Sequence, residues 1–154
     1  MIIELLKKVD IMNDTLKQKI RHMFDEQRFA VIATQGETEP YTNLVSFLIG
    51  KNLKKIYFPT AKNTTKFKNL SEHSRISILI DNRGNKPFDI ENAMTVTAVG
   101  ETSIITDRKI VNFFLKKHPY LKEFVSSKNC AMIEIDVEKY IVVDNFQDVK
   151  IIKI

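Results

Sequence analysis

At 154 residues the chain is long enough to bury a sizeable core as a single domain over 1–154, with no need of disulfide or metal staples. An apolar share of 44% argues against disorder, and the single cysteine, Cys130, rules out an intramolecular disulfide framework. The formal charge of +5 permits a nucleic-acid partner, but the lysines are scattered and do not interleave with aromatic residues, so a small anionic ligand fits as well.

No apolar run is long enough to span a membrane, and Glu4, Lys7 and Lys8 interrupt what would have to be a signal-peptide core. A cytoplasmic protein is expected, with neither a membrane nor a nucleic acid as partner. Ile2, Ile3, Leu5, Leu6 and Val9 suit one side of a short amphipathic helix, or an added edge strand. Asn13 or Asp14 then offers an N-cap, and Leu16, Ile20, Met23 and Phe24 repeat at helical spacing through Gln27. Residues 1–27 therefore read as an N-terminal helical segment whose stripe packs on a core.

Arg28 to Gln35 is apolar and β-branched, and Gly36 follows in a polar turn with Pro40 at the edge of the next run. In that returning run, Tyr41 to Ile49, Leu44, Ser46 and Leu48 face one side while Asn43, Val45, Phe47 and Ile49 face the other. Both faces are expected to be largely covered. After a turn at Gly50 to Lys54, Lys55 to Phe58 makes a third strand, expected to stop at Pro59 because proline cannot donate to a ladder. Arg75 to Asp81 makes a fourth.

Asn82 to Asn92 reads as a polar connection without the alternating acidic ligands of a calcium loop. Met94 to Thr106 alternates over the longest stretch, with Gly100 as a bulge or a close backbone approach. A helix begins at Thr106 and Asp107, and Pro119 closes it or opens a second one through Val125. Cys130 to Val137, Tyr140 to Asn145 and Val149 to Ile154 read as three further strands. Neighbouring antiparallel strands joined by short turns point to a meander or barrel rather than a doubly wound sheet.

Between the third and fourth strands Thr60, Lys62, Asn63, Thr64, Thr65, Lys66 and Lys68 crowd the start of a short helix. A helix N-terminus carries unpaired N–H groups and the positive end of the macrodipole, threonine hydroxyls donate to phosphate oxygens, and lysines neutralise a dianion. The alternative is that Asn63, Thr64 or Thr65 caps the helix and the lysines form its solvated face.

Other chemistry finds few residues. His22, His73 and His118 show no metal-ligand spacing and read as surface or capping groups, and Cys130 at the start of an apolar run reads as a buried, inert thiol. No GxSxG elbow, Walker loop or GxGxxG fingerprint is present, and Asp89 and Glu91 read as solvated rather than as a catalytic pair.

Phe29 to Thr34 with Gly36 and Pro40 after it, Ile56 to Thr60, Thr65–Lys66 followed by Asn69–Leu70, Arg75–Ile76–Ser77, and Val96 to Gly100 occur in one ordered series over Phe29 to Val143. In that series the chain resembles the FMN-binding split-barrel family, the pyridoxamine phosphate oxidase-like proteins. The resemblance implies a mainly β fold, a six-stranded FMN-binding split barrel of Greek-key type with flanking helices. It also implies a homodimer with flavin sites at the subunit interface, and a flavin-dependent oxidoreductase that takes a small substrate or an electron donor such as NADH or NADPH. By the same resemblance Thr65 and Lys66 hold the FMN phosphate, with Lys62 and Thr64 assisting. Backbone groups of Leu44, Val45, Ser46 and Phe47 and of Tyr57, Phe58, Pro59 and Thr60 line the isoalloxazine ring.

The chain departs from the family pattern at Thr65, where serine is frequent, and at His73–Ser74, where Asn–Pro is usual. It contains no tryptophan, and the Trp and Arg motif that recognises pyridoxamine phosphate is not found in Tyr140 to Ile154, so vitamin B6 oxidation is not expected. No protein-supplied acid or base is required where a flavin carries the redox chemistry. The alternative on the same fold is a non-catalytic flavin- or haem-binding protein.

Overall fold

The Asn13 side chain accepts the Leu16 N–H at 2.8 Å and so starts helix α1, Asp14–Glu26. Leu16, Ile20, Met23 and Phe24 form its buried face, as their spacing predicts. The computed structural model describes residues 10–154; the helix or strand expected over 2–9 lies outside the described residues.

Eight strands follow: β1 (Phe29–Gln35), β2 (Pro40–Ser46), β3 (Leu48–Ile49), β4 (Lys55–Ala61), β5 (Arg75–Asp81), β6 (Thr95–Ile105), β7 (Cys130–Asp144) and β8 (Asp148–Lys153). They bond in the order β2-β1-β5-β6-β7-β4-β3, with β8 on β7, and every pairing is antiparallel. The single run expected over Tyr41–Ile49 is broken at Phe47: β2 pairs with β1, whereas β3 pairs with β4. Because one stretch of chain bonds to both ends of the sheet, the sheet curls round on itself. Counting β2 and β3 as that one stretch, and β8 as a hairpin partner outside the ring, leaves six barrel strands. The fold is a mainly β split barrel with flanking helices.

Alternation explains the inside. Ile76, Ile78 and Ile80 of β5 and Val96 and Ala98 of β6 point into the barrel, where they join Phe24, Phe47, Phe58 and Tyr140. Phe24 and Phe47 meet edge to face at 6.0 Å, and the Tyr140 hydroxyl donates to the Leu53 carbonyl at 2.7 Å.

Three further expectations about the elements change. β4 does not stop at Pro59 but continues to Ala61; β3 pairs with it only at Ile56 and Tyr57, so Pro59 sits where β4 has a ladder on one side only. The two strands read over Cys130–Asn145 are one, β7, which passes Glu138 through a bulge: Val99 pairs with Lys139 and Gly100 with Val137, leaving Glu138 unmatched. Gly100 is needed there, since a Cβ would lie 2.0 Å from the Asp136 carbonyl oxygen. The polar connection after β5 contains a short helix, α3, at Asp89–Asn92.

Helix α2, Thr65–Glu72, links β4 to β5. Asp107 caps helix α4 (Arg108–Lys117) by accepting the Lys109 N–H at 2.8 Å, and a 3₁₀ turn at Pro119–Leu121 leads into α5, Lys122–Ser126. The outer face of the barrel is less covered than alternation in β2 suggests, for Leu44 is 65% exposed. It begins a row of directly paired residues across six strands: Leu44 opposite Val31, then Leu79, Thr97, Ile141 and Ile151.

Candidate functional site

The ladder is incomplete between β2 and β4. β2 bonds to β1 on one edge only, and Phe58 to Ala61 bond to β7 on one edge only, yet β2 and β4 touch. Two strand edges with unmatched backbone groups thus border one opening, the split of the barrel. The stretches Leu44–Phe47 and Tyr57–Thr60 lie on its two sides. Val45, Phe47 and Phe58 turn their side chains into the core, so only their backbone is on offer, whereas the Leu44 side chain stands free.

Helix α2 starts directly beyond the β4 side. Thr64 is its cap: its hydroxyl oxygen accepts the Phe67 N–H at 3.3 Å, contacts the Thr60 hydroxyl at 3.2 Å and lies 2.8 Å from the Ala61 carbonyl. That hydroxyl is fully engaged. Lys62 reaches the Lys128 carbonyl at 3.2 Å, and Lys68 pairs with Glu37 at 3.1 Å. Thr65 is exposed and Lys66 is half-buried in the first turn, and Lys66 forms no ion pair among the described residues. The N–H groups of this turn have no intrahelical acceptor.

Opposite them stand two β2 side chains that the sequence does not single out. The Tyr41 hydroxyl is held below the ordinary phenol range by the Asn43 side chain, then by that of Thr65, with the Lys66 charge adding to them. Tyr41, Asn43, Thr65 and Lys66 are therefore gathered at one end of the split. The Asn43 Oδ1 is buried without a hydrogen-bond partner among the described residues. A buried amide oxygen left unpaired is costly, and a donor from outside the chain would relieve it. The only advance signal for Tyr41 and Asn43 is that they share a strand face with Val45 and Phe47.

Deeper along β4, burial first and Glu134 second push the Tyr57 phenol up to about 12. His118, expected at the surface or as a cap, is the C-cap of α4 but is fully buried: its Nε2 meets the Phe47 carbonyl at 2.9 Å and its Nδ1 the Tyr120 hydroxyl at 3.1 Å. His73 caps α2 at the surface, and His22 is exposed beside Glu26. Cys130, expected to be buried, is only half-buried at the start of β7; what burial it has pushes its thiol up, which suits an inert group. No group of three or more His, Cys, Asp or Glu side chains able to hold a metal exists among the described residues, and no helix there is long and apolar enough to cross a membrane.

A six-stranded antiparallel ring with one unbonded seam, and a helix N-terminus at the end of that seam, define the class: a split-barrel protein. Residues 16–144 match the family model described as pyridoxamine 5'-phosphate oxidase, and the chain belongs to that family. No curated protein matches the sequence significantly. Among solved structures, General Stress Protein 26 from Bacillus anthracis superposes with a TM-score of 0.72 at 19% identity, over 90% of this chain and 98% of that one. A heme binding protein from Mycobacterium smegmatis gives 0.78 at 13% identity, over 93% of this chain and 60% of that one. ChuZ from Campylobacter jejuni gives 0.78 at 12% identity, over 94% and 61% respectively. At such identities the likeness is one of fold.

Proposed function

We propose that the protein binds FMN in the split and acts, as a homodimer, as a flavin-dependent oxidoreductase on a small substrate. The observation that carries this reading is the convergence of Tyr41, Asn43, Thr65 and Lys66 at the end of the seam. A phosphate ester offers only acceptors, and the Thr65 and Lys66 backbone N–H groups, the Thr65 hydroxyl and the Lys66 ammonium are donors, the Phe67 N–H being taken by the Thr64 cap. The Asn43 oxygen needs a donor, which a ribityl hydroxyl provides. Thr64 serves by fixing the helix start rather than by touching the phosphate, and Lys62 adds charge from farther off.

Beyond the phosphate, the unbonded backbone edges of Leu44–Phe47 and Phe58–Thr60 offer groups along which a flat ring system can lie, with Tyr57 at the point where β3 still pairs with β4. When bound, the flavin supplies hydride or electron transfer, and the chain's task is to bind, orient and tune it. The row from Leu44 to Ile151, apolar except at Thr97, supports the homodimer: its first residue stands at the seam, so a second copy laid on this face would cover the ring as well. Pyridoxamine phosphate is not the substrate on this reading, because the chain has no tryptophan.

The test is the visible spectrum of the purified protein and the identity of any chromophore released on denaturation. Flavin absorbance with FMN released, and bleaching by NADH or NADPH without oxygen, supports the oxidoreductase. FMN that neither nucleotide reduces supports a flavin carrier or another electron donor. A Soret band without flavin, or a protein that binds no added FMN, refutes the reading.

A further inference from the structure

Two cavities run along the outer side of α4 and meet at Phe113. The first, of about 450 Å³, lies between that helix and the β3–β4 pair, with Leu48, Tyr57 and Ile110 in its walls. The second, of about 570 Å³, continues along the helix past Leu115 to Lys122. Both are of the size that small-molecule ligands occupy. Helical spacing places Lys109, Asn112, Phe113 and Lys116 on one face, while Phe114 on the other is fully buried against Tyr57 and Met132. Phe113 is thus not required for the core. It is 45% exposed, and the ammonium of Lys116 lies 5.4 Å from its ring centre.

The charged side chains that line this furrow are all cationic. Arg21, Lys51 and Lys55 border the first cavity, Lys109, Lys116 and Lys122 border the second, and no carboxylate lines either. Arg21 is paired with Asp25 at 3.1 Å and Lys55 with Glu134 at 2.5 Å. Lys51, Lys109, Lys116 and Lys122 form no ion pair among the described residues. An apolar cleft edged by ammonium groups that have no carboxylate partner among the described residues complements a molecule with an apolar body and an anionic end.

We infer that the furrow at Phe113 binds a small organic carboxylate with an aromatic or aliphatic body. The body lies on Phe113 between Leu48 and Ile110, and its single carboxylate meets the ammonium at one end of the furrow, Lys51 in the first cavity or Lys116 in the second. The site shares only Tyr57 with the residues expected beside a flavin, so it stands whether or not FMN binds.

The test sets decanoate against decanol, which share a body and differ in charge, as competitors of the fluorescent aromatic sulfonate 8-anilinonaphthalene-1-sulfonate on the full protein. Decanoate is expected to displace the probe at roughly tenfold lower concentration than decanol, a preference of about 1.4 kcal/mol. The exposed double variant Lys51→Glu/Lys116→Glu should erase that preference, and Phe113→Glu should weaken the probe itself about tenfold, both with far-UV circular dichroism unchanged. Equal displacement by the two competitors in the wild type, a comparison that needs no variant, overturns the inference. So do variants that bind as the wild type does, and probe binding that vanishes as protein concentration rises, which would make a second copy the occupant.

Discussion

The His118 imidazole donates through Nε2 to the Phe47 backbone carbonyl across 2.9 Å, joining residues 71 apart in sequence. A carbonyl only accepts, so Nε2 carries the proton and Nδ1 accepts from the Tyr120 hydroxyl at 3.1 Å. Phe47 is where the chain leaves one ladder for the other, and its carbonyl belongs to neither strand. His118→Ala would strand that buried acceptor and open a cavity above Phe114, at a cost of about 2–4 kcal/mol in urea unfolding. A loss below about 0.5 kcal/mol would mean that water satisfies the carbonyl equally well.

The same bond gives a pH dependence. Burial holds His118 below the ordinary imidazole value of about 6.5, the Phe47 bond opposes this, and the Lys117 and Arg28 charges add to it. As pH falls through 6.5 the unfolded chain takes up a proton that the folded one resists, so His118 makes stability fall with falling pH. Carboxylates titrate in the same region, and a His118→Gln variant controls for them. The stability difference, wild type minus variant, should shrink between about pH 7 and pH 5. A difference that stays level across that range contradicts a neutral, buried His118.

Gly100→Ala tests the bulge. The added methyl would sit 2.0 Å from the Asp136 oxygen, a backbone atom that cannot rotate aside, where β6 and β7 cross Glu138. A loss of about 3 kcal/mol is expected, read as a drop in the unfolding midpoint. An unchanged midpoint would mean that the register can slip to accommodate the methyl.

Element order was legible because apolar periodicity and caps carried it: the α1 stripe, the Asn13 cap and the alternation flanking Gly100 all recur in the structure. What was not legible depends on who pairs with whom. Alternation runs unbroken through Phe47, so nothing local marks the switch of partner that closes the barrel. Pro59 looks like a stop until its open strand edge is known, and Glu138–Lys139 look like a break until the bulge opposite Gly100 is seen. The same holds for the candidate site. The helix start at Thr64 and Thr65 is local chemistry, but Tyr41 and Asn43 reach it only through the curl of β2, and His118 after two lysines gives no sign of burial.

Leu44 offers a test of the proposed dimer that leaves the core intact. Its side chain is 65% exposed on the outer face and lies outside the buried core of the protomer. In a two-fold interface Leu44→Asp would bury an unpaired carboxylate in each copy, and a buried unpaired charge is costly. Sedimentation should show dimer giving way to monomer, while circular dichroism stays that of the wild type. A variant that sediments as the wild type does would remove this face from the interface.

Lys66 carries the sharpest prediction about the cofactor, because its neighbours are accounted for. Lys68 is paired with Glu37, Lys62 reaches a loop carbonyl, and the Thr64 hydroxyl holds the cap, which leaves Lys66 as the half-buried cation of the first turn. If it meets the FMN phosphate, Lys66→Ala should weaken flavin binding by about 1.5–3 kcal/mol, the worth of a charge-assisted hydrogen bond. In a fluorescence titration that is roughly a tenfold to 150-fold rise in Kd. Lys68→Ala removes the same formal charge two residues away and is expected to change Kd by less than about threefold, since its partner Glu37 is exposed and the pair is weak. Equal losses in the two variants would reduce the effect to a general field around the helix, and no loss in either would place the phosphate elsewhere.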